Sequence, residues 1–275
     1  HHHHHHMINA QTQLYGVIGF PVKHSLSPVF QNALIRYAGL NAVYLAFEIN
    51  PEELKKAFEG FKALKVKGIN VTVPFKEEII PLLDYVEDTA KEIGAVNTVK
   101  FENGKAYGYN TDWIGFLKSL KSLIPEVKEK SILVLGAGGA SRAVIYALVK
   151  EGAKVFLWNR TKEKAIKLAQ KFPLEVVNSP EEVIDKVQVI VNTTSVGLKD
   201  EDPEIFNYDL IKKDHVVVDI IYKETKLLKK AKEKGAKLLD GLPMLLWQGI
   251  EAFKIWNGCE VPYSVAERSV RDLRG

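Results

Sequence analysis

The sequence predicts an α/β protein of two domains: an N-terminal open α/β domain, then a Rossmann-type, doubly wound domain, with C-terminal helices that return to the first. Three observations predict it. From residue 14 to 109, short apolar runs alternate with amphipathic stretches. Residues 132–135 are wholly apolar and open a regular series of such runs, each followed by helical periodicity. A glycine-rich turn, Gly136-Ala137-Gly138-Gly139, separates the first of these runs from a helix start.

In chain order, residues 14–20 and 43–49 read as strands. Between them Ser27 and Pro28 mark a helix start, with the Ser27 hydroxyl as N-cap, proline at the first helical position and Gly39 as the stop. Asn50 and Pro51 repeat that signal for a helix ending near Leu64. Residues 68–73 read as a strand, and residues 96–101 and 106–109 as a hairpin about the turn 102–105. Residues 112–123 have helical periodicity and connect the domains. Strands follow at 132–135, 155–158, 187–191, 216–220 and 237–239, the pattern of a parallel sheet. Residues 243–256 and 262–273 form a helical tail, each helix opened by a proline, and too apolar on one face to stand alone. The expected boundaries are a tag over 1–6, a first domain over 7–111, a second over 112–241 and the returning helices over 242–275.

Six consecutive histidines precede Met7 and read as a purification tag, leaving His24, His215 and the lone Cys259. That set offers no zinc-ligand spacing and no disulfide framework, so neither a metal nor an oxidising compartment is expected. The net charge of +4 is the difference between 38 basic and 34 acidic residues, interspersed along the chain, which argues against a nucleic-acid partner. No apolar run is long enough to span a bilayer and Met7 opens no signal-peptide pattern, so a soluble, cytoplasmic protein is expected.

The turn after residue 135 carries chemistry. Gly136 permits a tight turn, Gly138 lets backbone amides approach a pyrophosphate, and the helix N-terminus favours its charge. Ala137, Gly139 and Ala140 complete the turn, and Ser141 stands where this fingerprint usually has glycine or alanine. About 20 residues on, where an NAD site carries an acid for the ribose hydroxyl, this chain has Asn159, Arg160 and Thr161. A guanidinium with neutral donors suits a 2′-phosphate, so NADP is the expected cofactor. Asn70, Thr72 and Lys76 sit at the end of a first-domain strand, where side chains project into the crevice of an open sheet.

Together, His24-Ser25-Leu26-Ser27-Pro28, Asn70 to Lys76 through Pro74, Gly94-Ala95-Val96-Asn97-Thr98, Asn110-Thr111-Asp112, the glycine turn, Asn159-Arg160-Thr161, Asn192-Thr193-Thr194-Ser195, Asp219-Ile220-Ile221-Tyr222 and Gly241-Leu242-Pro243-Met244 through Gln248 make the chain resemble the shikimate dehydrogenases over its natural length. The resemblance implies interconversion of 3-dehydroshikimate and shikimate with NADP(H), on the route to chorismate and the aromatic amino acids. It places Ser25, Ser27 and Tyr222 by the substrate carboxylate, and Asn70, Thr72, Asn97 and Gln248 on the ring hydroxyls. It places Ala140, Ser141, Thr194, Gly241 and Met244 beside the cofactor, and Lys76 with Asp112 at the reacting carbon. A small-molecule substrate and a monomer or homodimer are expected. A quinate/shikimate dehydrogenase is the nearest alternative, and a noncatalytic NADP- or metabolite-sensing module a more distant one.

The protonation role of Lys76 has two readings. As proton donor and acceptor it needs desolvation to lower its pKa, which a neighbouring carboxylate opposes. Alternatively it stays charged, orients the hydroxyl and stabilises alkoxide charge, with Asp112 or the coupled pair handling the proton.

Overall fold

A computed structural model describes residues 7–274; the histidines read as a tag, His1 to His6, lie outside the described residues. The chain forms two compact units, one running to Thr111 and resuming at Leu246, the other comprising Asp112–Leu245.

The first unit is built on a six-stranded mixed sheet. Strand β1 (Gln13–Gly19) leads through helix α1 (Ser27–Ala38) to β2 (Ala42–Glu48), and α2 (Leu54–Ala63) leads on to β3 (Gly68–Val71). A two-residue strand β4 (Tyr85–Val86) and the short helix α3 (Asp88–Ile93) precede the hairpin β5 (Thr98–Glu102) and β6 (Lys105–Tyr109). The order across the sheet is β2-β1-β3-β5-β6-β4. β1 pairs in parallel with both β2 and β3, whereas β5 runs antiparallel to β3 and β6. Because the chain leaves β1 toward β2 on one side and returns to β3 on the other, a crevice opens at the carboxyl ends of β1 and β3.

Ile18, Phe58, Ile69, Val71, Phe75, Ile79 and Val99 form the core behind that edge, all buried. Phe75 is fully buried and anchors the turn that follows β3, where the Phe75 amide donates to the Thr72 carbonyl. The C-terminal helices close the unit's other face. From α8 (Leu242–Asn257), Gly249 accepts a hydrogen bond from the Gln31 side chain at 2.9 Å, and the Trp256 indole donates to the Val99 carbonyl at 3.0 Å. Helix α9 (Tyr263–Arg274) packs along α1.

The start of α1 differs from the sequence expectation. Ser27 is the first helical residue and Leu26, with φ −84° and ψ −8°, is the N-cap position without a side-chain cap. The chain is already turning at Leu26, so the Ser27 amide is capped from one residue further back, by Ser25 Oγ at 3.1 Å. Gly39 does close the helix, in a left-handed conformation.

The second unit has α4 (Asp112–Leu123) followed by β7 (Ser131–Leu135), α5 (Gly139–Lys150), β8 (Lys154–Trp158), α6 (Lys162–Ala169), β9 (Glu175–Val176), β10 (Val189–Asn192), β11 (Val216–Asp219), α7 (Lys226–Glu233) and β12 (Lys237–Leu239). All six strands are parallel in the order β12-β11-β10-β7-β8-β9. That is the doubly wound dinucleotide-binding order, with its switch point between β7 and β10. Ile132, Leu133, Val134 and Leu135 are fully buried, because helices cover both faces of a parallel sheet and every β7 side chain meets one of them. Among the described residues no helix is long and apolar enough to cross a membrane.

Candidate active-site residues

In the first unit, the crevice edge is a set of polar side chains that satisfy one another below the surface. Thr72 extends the β3 ladder beyond its last assigned residue by donating its amide to Ile18, at 2.9 Å. Asn70 is buried: its Oδ1 accepts from the Tyr44 hydroxyl at 2.6 Å, and its Nδ2 donates to the Asn97 carbonyl at 3.3 Å and Thr98 Oγ1 at 3.2 Å. Asn97 Oδ1 accepts from the Thr111 amide at 2.7 Å and from Thr98 Oγ1 at 3.1 Å. Its Nδ2 donates to Thr111 Oγ1 at 2.9 Å and to Gln248 Oε1 at 3.1 Å. These bonds fix both amide orientations, since a carbonyl oxygen can only accept and an NH₂ can only donate.

The half-buried Lys76 lies on the same edge. Its backbone carbonyl accepts the Val96 amide at 2.8 Å, which ties the Lys76 turn to the residue before Asn97. Ser25 is half-buried and Ser27 buried, both at the start of α1. Complete burial pushes the pKa of the Tyr44 hydroxyl well above the usual phenol value, with the Ser27 side chain acting in the opposite direction. Asn70, Asn97 and Gln248 are thus joined in one hydrogen-bonded chain with Tyr44, Thr98 and Thr111. Of these linkers, Thr98 and Thr111 occur in the motifs without an assigned role. Tyr44 has no sequence signal at all, because a tyrosine inside an apolar strand reads as core.

In the second unit, Gly136 has φ 111°, and a Cβ there would sit 2.6 Å from Thr193 Oγ1. Only glycine makes this turn. A Cβ at Gly138 would instead meet nothing within 4 Å, so the face over the first amides of α5 is open. Ser141, fully buried, turns its hydroxyl inward: it accepts the Gly138 amide at 3.2 Å and bonds Thr193 Oγ1, which donates to the Leu135 carbonyl at 2.6 Å. Beyond being small, Ser141 therefore pins the glycine turn to the end of β10. Ala137, Gly139 and Ala140 are half-buried on that turn.

At the end of β8, Asn159 holds the next turn by donating to the Thr161 carbonyl at 2.8 Å, and Arg160 is exposed. The open amide face and this acid-free donor set fit a dinucleotide with a 2′-phosphate.

The loops after β10 and β11 share one buried carboxylate. Asp219 accepts from Asn192 Nδ2 at 3.1 Å, the Ile221 amide at 3.1 Å and Thr225 Oγ1 at 2.8 Å. Burial raises its pKa to about 6 against those hydrogen bonds, with the Asp240 charge adding slightly. Asn192 Oδ1 in turn accepts both the amide and the hydroxyl of Thr194, at 2.9 and 2.7 Å. Tyr222, half-buried, follows Ile221 on the second of these loops. Gly241 closes the array: its amide donates to the Ile221 carbonyl, and a Cβ there would fall 1.8 Å from the Ile220 oxygen, so no other residue fits. Met244 is buried in the core of this unit. Asp112, buried at 5% exposure, opens α4 directly after Thr111. Among the described residues no three His, Cys, Asp or Glu side chains are grouped to hold a metal ion.

Three sequence-family models match successive parts of the chain: the shikimate dehydrogenase substrate binding domain over residues 17–99, shikimate / quinate 5-dehydrogenase over 118–232, and the shikimate 5'-dehydrogenase C-terminal domain over 241–271. The chain is 99% identical over 269 residues to a shikimate dehydrogenase (NADP(+)) of Aquifex aeolicus, covering 98% of this chain and 100% of that protein. It is 46% identical over 280 residues to the enzyme so named from Methanocaldococcus jannaschii, covering 97% and 99%. Among solved structures, the shikimate 5-dehydrogenase of Thermus thermophilus in complex with NADP(H) and shikimate superposes with a TM-score of 0.88 at 39% identity, covering 95% of this chain and 99% of that one.

Proposed function

From the premise that this chain belongs to the shikimate dehydrogenase family, we propose which of its residues perform the family's reaction. The chain is an NADP-dependent oxidoreductase that interconverts shikimate and 3-dehydroshikimate. Ser25 and Ser27 hold the substrate carboxylate with Tyr222. Asn70, Thr72, Asn97 and Gln248 read the ring hydroxyls, and Lys76 and Asp112 each contribute a group at the hydroxyl that becomes the ketone. The observation that carries this reading is the buried hydrogen-bonded chain from Tyr44 through Asn70 and Asn97 to Gln248. Polar groups this buried require defined partners, so a substrate presenting several hydroxyls in fixed positions is recognised by geometry rather than by charge alone.

Gly136, Ala137, Gly138, Gly139, Ala140 and Ser141 form the pyrophosphate turn, Asn159, Arg160 and Thr161 receive the 2′-phosphate, and Thr194, Gly241 and Met244 line the nicotinamide end. When bound, NADP(H) supplies or accepts the hydride. The protein's own part at that moment is a proton at the substrate oxygen: either the Lys76 ammonium donates it to the developing alkoxide, or Lys76 stays charged and stabilises that alkoxide while Asp112 handles the proton.

We infer further that the protein works in the cytoplasm as a monomer or homodimer without a nucleic-acid partner, in line with a single cysteine and nearly balanced charge. The direct test offers shikimate or quinate with NADP or NAD and follows reduced-nicotinamide absorbance. Turnover with shikimate and NADP is expected; turnover with quinate and NAD of equal efficiency would favour the broader quinate/shikimate specificity.

A further inference from the structure

Of the side chains proposed to bind the substrate's carboxylate and ring hydroxyls, Tyr222 alone belongs to the second unit. The residue before it is held at both ends. The Ile221 amide donates to Asp219 Oδ1 and the Ile221 carbonyl accepts the Gly241 amide, each at 3.1 Å, which fixes the direction in which the chain enters Tyr222. Asp219 is fully buried and takes two further donors from other segments: Asn192 Nδ2 at the end of β10, at 3.1 Å, and Thr225 Oγ1 at the start of α7, at 2.8 Å. Val216, Val217 and Val218 fill the same strand with apolar side chains, and a fourth would avoid the desolvation of a carboxylate. What the carboxylate adds is direction: it can only accept, so donors from three segments converge on it.

The residue after Tyr222 makes a second tie to the same neighbouring loop. Lys223 Nζ donates to the Leu198 carbonyl at 2.9 Å and to Asp200 Oδ1 at 3.1 Å. Leu198 and Asp200 lie on the loop that leaves β10 at Asn192 and carries Thr194. Tyr222 is therefore bracketed, its preceding residue tied through Asp219 to Asn192 and its following residue tied to Leu198 and Asp200. The inner tie is shielded from water, where hydrogen bonds to a carboxylate are strongest. The outer one is exposed and weaker.

We propose that Asp219 and Lys223 are positioning residues that clamp Tyr222 to the loop carrying Thr194, so that the phenol reaching the substrate carboxylate keeps a fixed spacing from the cofactor's neighbour. This inference rests on the assignment of Tyr222 to the substrate. Asp219 and Lys223 touch no substrate; both act through the backbone on either side of Tyr222.

The experiment is steady-state kinetics on the full chain with Asp219→Ala, Asp219→Asn and Lys223→Ala, each alone and combined with Tyr222→Phe. Asp219→Ala should raise KM for shikimate about tenfold and Lys223→Ala about fourfold. KM for NADP should stay within about twofold of wild type, because the glycine turn and Arg160 are untouched. Asp219→Asn keeps an oxygen for Asn192 and Ile221 and should hold KM for shikimate within about twofold of wild type. Beside Tyr222→Phe, both rises should shrink to within about 1.5-fold, since no hydroxyl is left to displace. A rise in KM for NADP equal to that for shikimate would mean a general loosening of the unit and overturns the clamp. Rises that persist in full beside Tyr222→Phe also overturn it. Should Asp219→Ala fold poorly, the exposed Lys223→Ala decides by the same criteria. If Tyr222→Phe raises KM for shikimate and the clamp variants do not, the substrate assignment stands and the clamp is overturned. If Tyr222→Phe itself leaves KM unchanged, the assignment of Tyr222 fails, and the clamp with it.

Discussion

Asn97 Nδ2 and Gln248 Oε1 lie 3.1 Å apart, joining the residue before β5 to a helix 151 residues later in the chain. Both side chains are buried, so each holds the other's amide in one orientation. Gln248→Ala removes the acceptor while leaving Asn97 its bond to Thr111. The variant is expected to raise KM for shikimate about tenfold, the equivalent of about 1.4 kcal/mol, with KM for NADP unchanged. Steady-state kinetics varying each substrate in turn checks this, and an equal rise for both would show a loss of fold rather than of a hydroxyl contact.

Arg160 separates the two nicotinamide cofactors. A charge-assisted bond to phosphate contributes about 1.5–3 kcal/mol, so Arg160→Ala should weaken NADP binding by about 10- to 100-fold and leave NAD binding alone. Titration of each cofactor by protein fluorescence reads the difference directly. Parallel losses would return Arg160 to the solvated surface.

Asp219 makes stability depend on pH in an unusual direction for a carboxylate. Its folded pKa of about 6 lies above the ordinary 3.8, so between these values the native protein holds a proton that the unfolded chain releases. Stability from this group is therefore greatest below about pH 4 and falls as pH rises toward 6, by up to about 3 kcal/mol. Asp219→Asn does not titrate. The Tm of wild type minus that of the variant should decrease from about pH 4 to about pH 6.5 and then level; a difference that grows with pH would mean the hydrogen bonds from Asn192, Ile221 and Thr225 outweigh burial.

Long, strongly patterned elements were legible in the sequence, and the reasons are visible in the structure. α4 spans Asp112–Leu123, as periodicity predicts, and the all-parallel second sheet follows from strands buried on both faces. The two-residue strands β4 and β9 and the six-residue helix α3 were not, since so few residues carry no period. The cap of α1 departs from expectation because Ser25 and Ser27 offer the same hydroxyl two positions apart, and only the backbone angles at Leu26 decide between them.

For the site, residues exposed by motif position were legible, while those acting through another residue were not. Ser141 reads as a small spacer, yet its hydroxyl ties the glycine turn to Thr193. Asp219 and Asn192 sit in motifs that give them no role, and only their bonds to Thr194 and Ile221 supply one. Such partners depend on which strands become neighbours, β10 beside both β7 and β11, and adjacency is not written in local spacing.

Lys76 carries the chemical proposal, and single-turnover oxidation of shikimate by NADP with Lys76→Ala tests it. If the ammonium acts on the oxygen at the reacting carbon, the rate of hydride transfer should fall by about 10²-fold or more while KM for shikimate stays within about threefold. A variant that keeps near-normal turnover and merely binds shikimate more weakly would contradict a catalytic Lys76.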